Sequence, residues 1–271
     1  MKLFGFAAVL LVAATNANAT DSVQLYTLDC GTIEVSDMVS FDKQRRFAGQ
    51  SITLKVPCYL IRHPDGDLLW DAGLDEALAA NPEGIGTTFH STMSQTLTSQ
   101  LAELGMSPAD IEYLSLSHWH PDHAGNANLF GHSTWIANRA ERDFMFSDAM
   151  KEAQTGYSAL KTAKTILFDE TYDVFGDGSA VVYGTPGHTP GHSVLLLTLN
   201  SAGALLFSGD LYIHEESRTL RAIPLFNTDI GQTLQSMDRF EALAEQHQAR
   251  VVIEHDKNHF EAMPKFPKYL D

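Results

Sequence analysis

The chain has 271 residues, of which 44% are hydrophobic and 19% are charged, and its formal net charge is −16. This composition is typical of a soluble globular protein. The acidic balance argues against nucleic acid as a partner, because phosphate backbones are also negative. It also argues against docking on an anionic membrane surface. We therefore predict no nucleic acid partner and no stable membrane association.

The N-terminal segment has the pattern of a secretory signal peptide. Lys2 gives a short basic start, residues 3–14 are almost wholly apolar, and residues 17–19 supply the small side chains that a signal peptidase requires. The apolar run is too short to make a good membrane-spanning helix. We predict cleavage after Ala19, one domain over residues 20–271, and a periplasmic or extracellular location.

The rest of the chain alternates between strand patterns and a few helical ones. Apolar runs predict strands over 23–28, 52–61, 67–70, 111–116, 180–183, 194–199, 204–207 and 250–253. A turn at 63–66 joins two of these strands in a hairpin. Apolar residues spaced three and four apart predict helices over 92–104 and 229–246. This order favours two packed β-sheets with helices outside.

The two cysteines, Cys30 and Cys58, leave two alternatives open. In an exported protein they could pair, but two cysteines do not define a disulfide framework. Buried free thiols in strands are equally normal. Neither cysteine lies near the histidine motifs, so we do not predict that either binds metal.

A dense group of side chains that can bind metal follows the strand at 111–116. His118, His120, Asp122 and His123 lie within six residues. In an extended segment, His118 and His120 point the same way, and the following turn lets the other two face a second point nearby. Imidazole and carboxylate suit zinc, and also iron, cobalt or manganese. The density of the cluster predicts a metal site rather than a set of packed histidines.

Three later strand ends each add one more side chain of this type. His188 lies in a turn rich in glycine and proline, which would fix its position. Asp210 follows the strand at 204–207, and His255 follows the last strand. Because loops at strand ends can converge on one edge of a sandwich, we expect these side chains to meet the first group.

These motifs resemble the metallo-β-lactamase superfamily over nearly the whole mature chain. The resemblance implies an α/β fold, namely an αββα sandwich of two mixed β-sheets with helices on the outer faces. It also implies two divalent metal ions, zinc in the first place. One ion would be bound by His118, His120 and His188, the other by Asp122, His123 and His255, and Asp210 would bridge them. Asp71 would orient a ligand histidine, and His192 would brace the site by hydrogen bonding.

A narrower resemblance is to the N-acyl-homoserine lactonase family. It is carried by segments 56–64, 68–74, 208–212 and 252–256. It implies a quorum-quenching hydrolase that opens the lactone ring by attack of a metal-bridging hydroxide. Asp122 would pass a proton to the leaving alkoxide. Tyr212 would stabilise the oxyanion, although the family's tyrosine lies three residues after the bridging aspartate and Tyr212 lies two after it. The acyl tail would lie in an apolar groove lined by Met38, Phe41, Phe47 and Phe89.

Two alternative functions stay open from the sequence. One is an organophosphate or aryl-ester hydrolase of the same superfamily, which would have a similar metal set. The other is a non-catalytic metal-binding homologue. Structural zinc sites usually have four protein ligands, so seven ligands with a bridging carboxylate favour an enzyme. The resemblance implies a small-molecule substrate, and the sequence leaves monomer and homodimer open.

Overall fold

The computed structural model describes residues 22–271, so the predicted signal peptide lies outside the described residues. The strands are β1 (Gln24–Val35), β2 (Ile52–His63), β3 (Gly66–Trp70), β4 (Phe89–Thr92), β5 (Tyr113–Ser115), β6 (Thr134–Asn138), β7 (Thr165–Phe168), β8 (Thr171–Asp173), β9 (Ala180–Gly184), β10 (Ser193–Leu199), β11 (Gly203–Phe207), β12 (Arg250–Val252) and β13 (Tyr269–Leu270). The α-helices are α1 (Leu97–Glu103), α2 (Pro121–Ala124), α3 (Arg139–Met145), α4 (Glu215–Leu220), α5 (Ile230–Gln246) and α6 (Lys257–Glu261). Short 3-10 helices lie at Met38–Phe41, Glu76–Ala80, Pro108–Asp110, Ala127–Phe130, Asp148–Met150, Ala153–Lys161 and Gly209–Leu211. Across residues 22–271, no helix combines the length and apolarity needed to cross a membrane.

The strands form two sheets. The first has the order β13-β1-β2-β3-β5-β6-β7, with β4 added beside β1. In this sheet the strands β3, β5, β6 and β7 run parallel. The second sheet has the order β12-β11-β10-β9-β8, in which β11 and β12 are parallel. Both sheets mix parallel and antiparallel pairs, as predicted.

Clusters of buried apolar side chains lie between the layers of sheets and helices. Along β10, Leu195 belongs to the apolar cluster between the two sheets, whereas Leu196 belongs to the cluster beneath α5. This follows from strand geometry, because successive side chains point to opposite faces. Phe240 of α5 covers the second sheet, and Leu101 of α1 joins the cluster on the outer face of the first. The predicted αββα sandwich is confirmed.

The structure differs from the sequence prediction mainly at 92–104. Residues Phe89–Thr92 form β4, which pairs with β1, and the helix begins only at Leu97. The side chain of Thr96 accepts a hydrogen bond from the Ser99 amide and caps the helix there. The pattern also does not predict β6 and β7, which extend the first sheet.

Cys30 on β1 and Cys58 on β2 form a disulfide, which settles the alternative that the sequence left open. Both residues are fully buried. The bridge lies directly beneath Gly73, where an added Cβ would come within 2.2 Å of the Cys30 Cβ. The disulfide therefore supports the loop that follows β3.

Removing this bridge should destabilise the fold. For the Cys30→Ala/Cys58→Ala variant we expect a free energy of unfolding lower by about 3 kcal/mol, because the unfolded chain regains the freedom of the closed loop. The melting temperature should fall by roughly 6–12 °C. Thermal unfolding followed by circular dichroism measures this, and an unchanged melting temperature would show that the bridge is dispensable.

Candidate metal centre

Four side chains from three loops meet at one point, which we call the first cluster: His118, His120, His188 and Asp210. His120 Nδ1 lies 2.8 Å from His118 Nε2 and 3.2 Å from His188 Nε2. Asp210 Oδ2 is 3.3 Å from His188 Nε2. Zinc–ligand distances of about 2.0–2.1 Å place tetrahedral ligand atoms roughly 3.3 Å apart. The spacing and the donor types therefore fit one divalent cation.

A second cluster lies on the other side of the Asp210 carboxylate and consists of Asp122, His123 and His255. Asp210 Oδ1 is 2.9 Å from His255 Nε2 and 3.2 Å from His123 Nε2. Asp122 Oδ2 is 3.6 Å from His255 Nε2. One oxygen of Asp210 thus faces each cluster. All seven predicted ligands are brought together in the predicted grouping.

Local backbone geometry separates the two clusters. The carbonyl oxygen of His120 accepts hydrogen bonds from the amides of His123 and Ala124, which starts the four-residue helix α2. This turn carries Asp122 and His123 away from the first cluster. In the loop that presents His188, Gly187 has φ +133°, and a Cβ there would lie 2.3 Å from the Thr233 amide nitrogen. Only glycine fits at this position.

Asp71 and His192 orient two of the ligands by hydrogen bonding, as the resemblance implied. Asp71 Oδ2 lies 2.7 Å from His123 Nδ1, which directs the other ring nitrogen towards Asp210. Asp71 also accepts hydrogen bonds from the amide and hydroxyl of Ser117. His192 Nε2 accepts a hydrogen bond from the Asp210 amide at 3.0 Å. Its Nδ1 faces the Thr185 hydroxyl at 2.9 Å.

Burial and neighbouring charge shift the pKa values of the histidines in opposite directions in the two clusters. Burial lowers the pKa of His118 well below its usual range and that of His120 to about 4, so both imidazoles are neutral, which is the form that binds metal. Burial would lower the pKa of His255 too, but the Asp210 carboxylate raises it to about 9. Burial would raise the pKa of Asp210, but His255, His123 and His118 hold it well below its usual range. A cation in the second cluster would replace the proton on His255.

Glu141 on α3 braces two ligand loops and is a residue that the sequence analysis missed. Its Oε1 accepts a hydrogen bond from the Trp119 amide, between His118 and His120. Its Oε2 accepts hydrogen bonds from the Thr189 hydroxyl and the Gly191 amide, both at 2.8 Å. Burial raises the pKa of this carboxyl to about 7, against the effect of these donors. Glu141 therefore fixes the first histidine pair relative to the loop of His188.

Glu254 is a second buried brace. Its Oε1 accepts hydrogen bonds from the Trp70 indole and the Gly209 amide, both at 3.0 Å. Burial, followed by the nearby Asp71 carboxylate, raises its pKa to about 8. Glu254 thus connects the end of β3 with the turn that carries Asp210.

The prediction that Tyr212 serves the reaction is wrong. Its hydroxyl donates a hydrogen bond to Glu241 Oε1 on α5 at 3.0 Å, and its ring packs against Phe240 in the cluster beneath that helix. The residue one position later, Ile213, lines the cleft in front of the clusters. The one-residue offset from the family pattern therefore turns the tyrosine to the opposite side.

The two clusters open onto an apolar cleft of about 320 Å³. Phe41 and Phe89 line it, as predicted, with ring centroids 5.8 Å apart. Met38 and Phe47 do not line the cleft, which corrects that part of the predicted groove. Both are buried in the core on the outer face of the first sheet, and Phe47 packs on the ring of His214.

Weakening the Glu141 brace should weaken metal binding. Glu141→Gln keeps the shape of the side chain but replaces one acceptor oxygen with a donor, so at least one loop loses its partner. We expect roughly tenfold weaker zinc retention in a chelator competition, at an unchanged circular dichroism spectrum. The exposed Glu103→Gln substitution on α1 is the matched control. Equal zinc retention in both variants would contradict a bracing role.

Comparison with known proteins agrees with this site. Residues 52–255 match the Metallo-beta-lactamase superfamily. The chain is 31% identical over 261 residues to the N-acyl homoserine lactonase AttM of Rhizobium radiobacter, covering 91% of this chain and 98% of that protein. It is 30% identical over 235 residues to an N-acyl homoserine lactonase of a Bacillus species, covering 82% and 89%. An N-acyl homoserine lactone hydrolase with N-hexanoyl-L-homoserine bound at its catalytic metal centre superposes with a TM-score of 0.77 at 25% identity, covering 93% of this chain and 100% of that one. The chain belongs to the metallo-β-lactamase superfamily, within its N-acyl-homoserine lactonase family.

Proposed function

We propose that this protein opens the lactone ring of N-acyl-homoserine lactones with two metal ions as cofactors. The observation that carries the proposal is the pair of ligand clusters sharing Asp210 at the floor of an apolar cleft. A lactone head suits the polar floor, and an acyl tail suits the walls. The relatives' names support this substrate class.

Zinc is the cofactor that the donor set favours. The first cluster offers three imidazoles and one carboxylate oxygen. The second, together with Asp210, offers two imidazoles and two carboxylate oxygens. Zinc binds both kinds of donor set well. Iron, cobalt and manganese accept the same donors. Divalent cations in the clusters would supply Lewis acidity, lowering the pKa of a nucleophilic water and polarising an acceptor carbonyl.

We assign proton transfer to Asp122. Both Asp122 and Asp210 line the cleft, but the side chain of Asp122 is 20% exposed whereas that of Asp210 is 6% exposed. During hydrolysis, water adds to the carbonyl carbon and the ring C–O bond breaks. Asp122 takes the proton from the attacking water and returns it to the leaving alkoxide oxygen. The products are a carboxylate, an alcohol and a released proton.

Ring opening can be tested directly by pH-stat titration. We expect the zinc-loaded protein to release protons from a short- and a long-chain N-acyl-homoserine lactone. His120→Ala should lower the rate more than about 100-fold, because it removes a first-cluster ligand. The exposed His132→Ala substitution is the control and should leave the rate unchanged.

A phosphotriester assayed beside the lactones distinguishes the main alternative. Fast phosphotriester turnover with no lactone opening would overturn the lactonase assignment in favour of an organophosphate hydrolase. Full metal binding with no turnover of any of these substrates would favour a non-catalytic homologue.

We further propose that the protein acts outside the cytoplasm. The signal-peptide pattern of residues 1–19 supports this. The buried Cys30–Cys58 disulfide supports it independently, because cytosolic thiols are kept reduced. Cell fractionation with intact mass measurement should recover a periplasmic or secreted chain that begins at Thr20. A full-length chain confined to the cytosol would refute export.

A further inference from the structure

A second, larger cavity adjoins the metal cleft. This inner cavity has a volume of about 480 Å³ and is lined mainly by apolar side chains, including Leu78 and Trp119. Leu74, Ser91 and Pro121 line both the cleft and the inner cavity. A ligand anchored at the clusters therefore reaches the inner cavity by passing these three residues.

Strand geometry turns the side chain of Ser91 towards this passage. Ser91 on β4 is the cross-strand partner of Ile33 on β1, and Ile33 lines the cleft. Phe89, two residues earlier on β4, lines the cleft as well. Cross-strand partners and alternate residues share one face of a sheet, so Ser91 shares the face of Ile33 and Phe89. The main-chain N–H and C=O of Ser91 are both paired with Ile85, which leaves its hydroxyl available.

The hydroxyl of Ser91 is a polar group in an otherwise apolar part of the cleft. Among the described residues that line the cleft, those outside the two ligand clusters are apolar except for Ser91. A hydroxyl donates one hydrogen bond and accepts others, so it can pair with either end of a neutral amide. An amide that enters an apolar passage without a partner is strongly disfavoured. A single hydroxyl at this point therefore selects a ligand with one polar link between its head and its tail.

We propose that Ser91 is a specificity-determining residue that hydrogen-bonds the amide of an N-acyl-homoserine lactone whose tail lies in the inner cavity. This inference rests on the proposed function and adds the recognition of the amide to it. A lactone with the same tail but no amide gains nothing from the hydroxyl. Ser91 therefore discriminates between acyl-amino lactones and plain alkyl lactones.

An isosteric pair of variants isolates the hydroxyl. Ser91→Thr keeps the hydroxyl and Ser91→Val removes it, while both are β-branched and suit a strand. The zinc-loaded variants are assayed on N-octanoyl-homoserine lactone and on an α-alkyl-γ-butyrolactone of equal tail length. We expect kcat/KM for the first substrate to be about fivefold lower in the valine variant than in the threonine variant. For the amide-free lactone we expect equal values.

The outcomes separate this inference from the function on which it rests. If the wild-type protein opens neither lactone, the proposed function fails, and the inference fails with it. If the wild type opens both lactones but the two variants are equal on the acyl-amino lactone, only the role of Ser91 is overturned. An equal loss on both lactones in the valine variant would also overturn it, because the effect would not depend on the amide.

Discussion

The carboxylate of Asp210 is buried among imidazoles, and the arrangement of the site follows from this. One oxygen faces His118 and His188, and the other faces His123 and His255. A buried carboxylate is strongly unfavourable unless opposite charge and hydrogen bonds compensate it. Every loop that carries an imidazole must therefore end at the same edge of the sandwich. The two sheets meet this requirement because the strands before these loops all end there.

Further buried carboxylates hold those loops in place through main-chain amides. Asp71 accepts from the Ser117 amide, Glu141 from the Trp119 and Gly191 amides, and Glu254 from the Gly209 amide. Losing such an acceptor would leave a buried amide donor without a partner, which costs about 1–3 kcal/mol. The ligands are thus positioned by acids that do not themselves belong to the two clusters.

The sequence predicts the layers and the ligand set because both depend on local patterns, such as the dense histidines around His118. It does not predict β4, whose strand conformation depends on pairing with β1 rather than on its own residues. Nor does it predict Glu141, since its donors lie 22 and 50 residues away. The predictions for Tyr212 and Phe47 are wrong for a different reason. The local sequence does not determine the direction in which an apolar or aromatic side chain in a loop points.

The aromatic walls of the cleft, together with Ser91, come from parts of the chain that differ from those of the ligands at its floor. Phe41 lies in the turn after β1, Phe89 and Ser91 lie on β4, and Phe226 lies between α4 and α5. None of these segments carries a ligand. Substitutions at Phe41, Phe89 and Ser91 can therefore change the walls while every predicted ligand stays in place. This separation gives the scaffold evolvability: substrate preference can diverge among descendants while hydrolytic competence is inherited intact.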